Sequence, residues 1–224
     1  MRVLMFGATG MVGSGVLEEC LNSGEVSSVV AVGRTSTGRS HKKFEEILHG
    51  DFFDYTAIRD RLTGFDACFF CVGVSAAGLS EQEYHRLTYE LTLAAAETLV
   101  ELSPEMTFCY VSGTGADSSE KGRWMWARVR GKIENKLLSM PFAAAYNFRP
   151  AYIQPLKGVR SKTKLYAIMY TLLGWLYPVL HRIAPRYVTD SVTLGKAMVR
   201  VAARGFHHGV LENWHINEVA TGAQ

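Results

Sequence analysis

Short apolar runs alternate with longer stretches of helical period along most of the chain, the pattern of a parallel sheet with crossover helices. Val3 to Phe6 reads as a strand, and Met11 to Leu21 as a helix with Val12, Val16 and Leu17 on one side. Ser28 to Val32, Phe44 to Leu48, Asp66 to Val72, Met106 to Ser112 and Ala143 to Arg149 read as five further strands. A short helix is expected around Tyr55 to Leu62. Ser80-Glu81-Gln82-Glu83 has the spacing of a capping box and opens a helix to about Leu102, where Pro104 stops it. Trp124 to Leu138 is helical, and a helix from Ser191 to Ala203 closes the chain. The predicted fold is α/β: one doubly wound, Rossmann-like parallel sheet over residues 1–224, with a small C-terminal lobe at 151–190.

Composition narrows this picture. At 224 residues, 48% hydrophobic and 20% charged, the chain has globular values, and disordered, collagen-like and coiled-coil classes are excluded. Its 24 Lys and Arg against 21 Asp and Glu leave a net charge of +3, which argues against a nucleic-acid partner. Cys68 and Cys71 form a C-x-x-C, but inside the apolar run Ala67 to Val72. Residues three apart on a strand point to opposite faces, so the pair is read as structural and no metal is expected. Gly7, Gly10, Gly13 and Gly15 interrupt the N-terminal apolar stretch, so it is not a signal peptide, and the expected compartment is the cytoplasm.

The glycines carry the first chemistry. Gly7-Ala8-Thr9-Gly10-Met11-Val12-Gly13 follows the first strand and opens a helix. Glycines so spaced allow a tight turn, close approach to a pyrophosphate and close helix–strand packing. The helix start then offers free amides to phosphate, so Gly7, Thr9, Gly10, Met11, Val12 and Gly13 are expected to bind a dinucleotide. At the end of the second strand stands Val32-Gly33-Arg34-Thr35-Ser36, without the carboxylate that NAD sites use for the ribose. A guanidinium suits a 2′-phosphate, so Gly33 and Arg34, with help from Arg39, point to NADP rather than NAD.

These motifs resemble the short-chain dehydrogenase/reductase superfamily, most closely its atypical branch of NAD(P)-dependent epimerase-like proteins and Tat-interactive-protein oxidoreductases. The resemblance covers most of the chain. It implies that Asp51 and Phe52 lie by the adenine, and that Cys71, Val72 and Gly73, in the segment running on to Val74 and Ser75, pass beside the ribose. Tyr110-Val111-Ser112-Gly113-Thr114-Gly115 is similar to the serine-bearing end of the fifth strand. Arg149-Pro150-Ala151-Tyr152-Ile153 is similar to the segment flanking the nicotinamide, which implicates Pro150 and Ile153.

The departure from that pattern lies in the catalytic pair. The family's Tyr-x-x-x-Lys, followed by Gly and Glu, falls on Trp126, Arg130, Gly131 and Glu134. Indole has no ionisable proton to give, and arginine holds its charge but does not relay a proton. Ser112 and Arg130 are left as the catalytic candidates, able to polarise a carbonyl, with Arg130 also placed to hold the ribose. Three readings follow: an oxidoreductase or epimerase-like enzyme drawing its proton from solvent, substrate, Tyr84, Tyr110 or Tyr152; an NADP-binding sensor or scaffold without turnover; or a shifted register in which Tyr110 fills the role.

Lys157, Arg160, Lys162 and Lys164 precede sixteen uncharged residues, Leu165 to Leu180. As a helix these would cover roughly 24 Å, short of the roughly 30 Å hydrocarbon core, and Pro178 interrupts them. The run suits an interfacial membrane helix, the wall of an apolar substrate pocket, or a buried or subunit-contacting helix. In the family that the chain resembles, the region after the sixth strand forms the substrate lobe, and the resemblance implies a small, apolar carbonyl or alcohol as substrate. His207, His208 and His215 are read as surface loop histidines rather than a metal site, and Lys121, Arg123, Arg128 and Lys132 as a solvated helix face.

Overall fold

The computed structural model describes residues 1–155, 183–184 and 186–222. Seven strands form one sheet: β1 (Arg2–Phe6), β2 (Ser28–Gly33), β3 (Phe44–Leu48), β4 (Ala67–Phe70), β5 (Thr107–Val111), β6 (Ala144–Arg149) and β9 (Val210–Glu212). Their order is β3-β2-β1-β4-β5-β6-β9, and every pairing is parallel. The order reverses at β1, so the carboxyl ends of β1 and β4 flank the crevice where such sheets take ligands. The doubly wound α/β expectation holds.

Strand alternation distributes the side chains over two cores. Val3 and Met5 of β1 pack on one face with Ala67 and Phe69 of β4, while Leu4, Phe6, Cys68 and Phe70 pack on the other. The first face is covered by α1 (Met11–Asn22), α5 (Ser191–Arg204) and α6 (Asn213–Thr221). The second lies under α3 (Leu91–Leu102) and α4 (Met125–Ser139). Cys68 and Cys71 do face opposite cores. Burial pushes the Cys71 thiol up to about 12, so it stays protonated and unreactive.

Several boundaries move. The Ser80 capping box forms as expected, but the helix after it is three pieces: α2 (Glu81–His85), a π segment over Arg86–Glu90, and α3. The turn expected around Tyr55 is a 3₁₀ helix, Thr56–Leu62. α5 does not close the chain, because β9 and α6 follow it, and Asp190 caps α5 by accepting from the Val192 and Thr193 amides. Of the expected lobe at 151–190, β7 (Tyr152–Gln154) and β8 (Val188–Asp190) pair in parallel as a separate small sheet. The basic run 157–164 and the uncharged run 165–180 lie outside the described residues. Among the described residues no helix is long and apolar enough to cross a membrane.

The surface reading of the histidines fails for one of them. His207 and His208 are exposed, but His215 is buried on α6, where its Nδ1 accepts the Glu212 amide proton at 3.2 Å. Burial, with His208 and His207 nearby, holds its pKa below the usual imidazole value. Among the described residues no group of His, Cys, Asp or Glu is arranged to hold a metal ion.

Candidate functional site

The glycine turn sits between two adjoining cavities. Gly7 adopts a φ of +82°, and a Cβ there would lie 2.7 Å from the Cys71 carbonyl oxygen. The turn closes with the Gly10 amide donating to the Gly7 carbonyl at 2.9 Å. Gly10 caps α1 without any side-chain oxygen, and the first turn of α1 carries no acidic residue. Its amides have no acceptor inside the helix and no carboxylate competing for them, so they are open to an anion.

On one side of the turn is a cavity of about 230 Å³ lined by Gly7, Thr9, Gly33, Arg34, Phe52 and Val72, among others. Phe52 is buried there, edge-on to Phe6 at 6.1 Å. Arg34 makes no described ion pair. Arg39, expected to assist it, is instead paired with Glu18. Asp51 does not line the cavity: it is exposed, and its Oδ1 accepts the Phe53 amide proton at 2.9 Å.

Glu46 is a residue that sequence reasoning missed. It lines this cavity because β3 pairs with β2 in a register that sets Glu46 opposite Ala31. Its carboxylate accepts from Ser36 Oγ at 2.6 Å and from the Thr37 amide at 2.7 Å, folding the loop after Arg34. Burial opposes its ionisation, but these hydrogen bonds prevail and hold its pKa low. No sequence signal marks it, since only the pairing brings it there.

On the other side is a larger cleft of about 660 Å³. Gly10, Met11, Val12, Cys71, Val72, Gly73, Ser112, Arg130, Pro150 and Ile153 all line it, together with Tyr84 and Trp126. Gly13 lies behind the turn, packed against Gly7. The end of β5 is fixed on β6 by the Ser112 amide donating to Phe148 O at 2.8 Å, yet the Ser112 hydroxyl is buried with no hydrogen-bond partner. A buried hydroxyl left unpaired beside a cleft is a place for a ligand atom.

Trp126 and Arg130 stand one turn apart on α4 and both face this cleft, and the indole lies against Gly115. Arg130 Nε donates to Tyr84 Oη at 2.9 Å, linking α4 to α2 across 46 positions of sequence. Burial works against the Arg130 charge, but Tyr110 and Tyr84 more than restore it. Of the three tyrosines considered as proton donors, Tyr84 alone lines the cleft. Burial pushes Tyr110 up to about 12, and Tyr152 donates its hydroxyl to Gln154 Oε1 at 2.7 Å.

The frame behind the cleft is a buried ion network. Glu134, one turn beyond Arg130, is fully buried and held by Arg149 through three hydrogen bonds of 2.5–3.1 Å. Arg149 also donates to Glu212 at 3.0 Å and to Ser118 Oγ at 2.7 Å, so α4, β6 and β9 are joined at one point.

Comparison with known proteins agrees with this arrangement. The chain is 24% identical over 217 residues to the protein fmp52, mitochondrial, of Aspergillus niger, covering 92% of this chain and 88% of that one. It is 25% identical over 153 residues to the protein HTATIP2 of Rattus norvegicus, covering 67% and 62%. Among solved structures, a short chain dehydrogenase family protein of Francisella tularensis matches with a TM-score of 0.68 at 13% identity, over 94% and 95% of the two chains. The Bordetella bronchiseptica enzyme WbmF in complex with NAD+ matches with a TM-score of 0.67 at 15% identity, over 98% and 76%. The fungal relatives are named as mitochondrial proteins, which overturns the cytoplasmic expectation. The sequence model of the NAD dependent epimerase/dehydratase family matches residues 3–119, more than half of the chain. With its glycine turn at the switch point of a seven-stranded parallel sheet, the chain belongs to that nicotinamide-dinucleotide-binding family, within the atypical short-chain dehydrogenase/reductases.

Proposed function

We propose that the chain is an NADP-dependent oxidoreductase, epimerase-like in type, that interconverts a carbonyl and an alcohol on a small substrate. The observation that carries this is the adjacency of the two cavities, which share Val72: an unpaired Arg34 at one end, a phosphate-binding helix start in the middle, and the unpartnered Ser112 hydroxyl in the same cleft as half-buried Arg130 at the other. A nicotinamide, when bound, supplies or takes the hydride. The chain does the rest. The α1 amides hold the pyrophosphate, and the Arg34 fork holds the 2′-phosphate. Ser112 Oγ donates to the substrate oxygen, and Arg130 offsets the charge that grows on it.

The proton is assigned to Tyr84. Its Oη already accepts from Arg130 Nε, so its own O–H has no described acceptor and is free to be donated. Met11, Val12, Val74 and Ile153 give the cleft apolar walls, which supports a substrate with an apolar body.

Arg34→Ala tests the cofactor. Fluorescence titration is expected to show NADPH affinity falling at least about tenfold, the value of one charge-assisted contact, with NADH little changed. An equal fall for both nucleotides rejects the assignment. For the chemistry, Ser112→Ala is expected to lower kcat/KM by about a hundredfold on any carbonyl the wild type reduces, with NADPH affinity unchanged. The second reading, a nucleotide sensor without turnover, is favoured by one observation: an indole fills the place of the family's tyrosine. Intact NADPH binding with no turnover on any carbonyl tried would decide for it.

A further inference from the structure

We propose that the inner end of the cleft is built for a carbonyl compound with a carboxylate next to its carbonyl carbon, an α-keto acid or the matching α-hydroxy acid. This rests on the oxidoreductase reading above and names the substrate class of that site.

The argument is a count of donors. Among the described residues, Arg130 is the one charged residue lining the cleft, and no carboxylate lines it. Glu134, on the same helix, contributes its field but is spent on Arg149 through three hydrogen bonds. Arg130 uses Nε on Tyr84, and its Nη1 and Nη2 have no described acceptor. The Ser112 hydroxyl has none either. The site therefore offers one donor from Ser112, one from Tyr84, and an unfilled fork from Arg130.

A carbonyl oxygen has two lone pairs. The two hydroxyls fill them, which leaves the fork over. A planar fork of N–H groups matches a carboxylate bidentately, and a neutral ketone leaves it unpaired. Arg130 is half-buried, so its unfilled fork is partly withdrawn from water, and an anion that arrives there completes it.

Gly113 supports the same assignment. A Cβ there would come within 3.1 Å of Arg130 Nη1, so the glycine leaves the fork open. Around these donors the walls are apolar, and the ligand is read as a carboxylate-bearing head on an apolar body.

The test is calorimetry on the full chain saturated with NADP+, with phenylpyruvate and its neutral amide as probes. Phenylpyruvate is expected to bind at least about tenfold more tightly than the amide. Arg130→Gln should abolish that preference, whereas Tyr84→Phe should weaken both probes alike and keep it. Should Arg130→Gln fail to fold, judged by circular dichroism, Gly113→Ala serves instead, since its methyl crowds the fork and is expected to reduce the preference. Equal binding of the two probes, binding of neither, or displacement of NADP+ by phenylpyruvate overturns the proposal. Displacement would assign the guanidinium to the ribose. If the wild type binds no NADP+, the oxidoreductase reading fails by itself. The probe comparison is then made on the nucleotide-free chain, where absence of a preference overturns the carboxylate site as well.

Discussion

Gly13→Ala is expected to abolish nucleotide binding and to cost the fold more than about 3 kcal/mol, beyond the usual range for an added methyl group. A Cβ at Gly13 would stand 2.1 Å from the Gly7 carbonyl oxygen and 3.2 Å from Ala8 Cα. Both neighbours are backbone, so no rotamer change relieves the clash, and either α1 or the turn must move. Moving the turn breaks the hydrogen bond from the Gly10 amide to Gly7 O and re-aims the first-turn amides away from the phosphates. Two controls make the effect specific. Gly10→Ala meets the same oxygen at 3.2 Å and is expected to weaken NADPH modestly while leaving the melting temperature almost unchanged. Gly24→Ala meets nothing within 4 Å and is expected to be neutral. Thermal melts and NADPH titration of the three variants should fall in that order. A Gly13→Ala protein that melts and binds like Gly24→Ala would show that the turn is not the tight contact described.

That turn is legible in the chain itself because its signal is local: glycines at fixed offsets between a strand and a helix. β1, β2, β4 and β5 are legible for the same reason, each being a largely apolar run bounded by turn or polar residues, while β3, with Glu45 and Glu46 inside it, shows more faintly. What is not legible depends on distant partners. β7, β8 and β9 have three residues each, too few for a period to show, and β9 exists because Asn147, Phe148 and Arg149 pair with Val210, Leu211 and Glu212. Glu46 joins the Arg34 cavity only through the register of β3 on β2. The π segment over Arg86–Glu90 leaves no mark in an otherwise helical sequence, yet it separates the part of the helix that sends Tyr84 to Arg130 from the part that packs Ala95, Ala96 and Leu99 on the sheet. Motif spacing alone brings Trp126 and Arg130 to the right cleft. The tyrosine that meets Arg130 is placed there only by the fold.

Glu134→Leu is expected to destabilise the protein by about 3 kcal/mol, the cost of removing the fully buried partner of a buried charge. Glu134 is fully buried, and its removal leaves Arg149, 9% exposed, with Glu212 as its remaining carboxylate. For a chain of this length that loss corresponds to a melting temperature lower by roughly 10 °C. The companion change discriminates charge from packing. Arg149→Met in the Glu134→Leu background removes the stranded guanidinium, and apolar replacements of whole buried pairs are often neutral or better. The double variant is therefore expected to regain most of the lost stability, giving a coupling of more than about 2 kcal/mol in a double-mutant cycle. Function should not follow stability. Glu134 and Arg149 tie α4 to β6 and β9, and α4 carries Trp126 and Arg130 into the cleft. With that tie gone, the double variant should melt almost like wild type but bind nucleotide less tightly, because an apolar contact fixes the position of α4 less closely than a forked one. A single Glu134→Leu loss under about 1 kcal/mol would mean that water reaches Arg149 and that the pair is not a buried one. Full nucleotide affinity in the double variant would mean that packing alone sets α4, and the ion pair would then have no part in positioning the site.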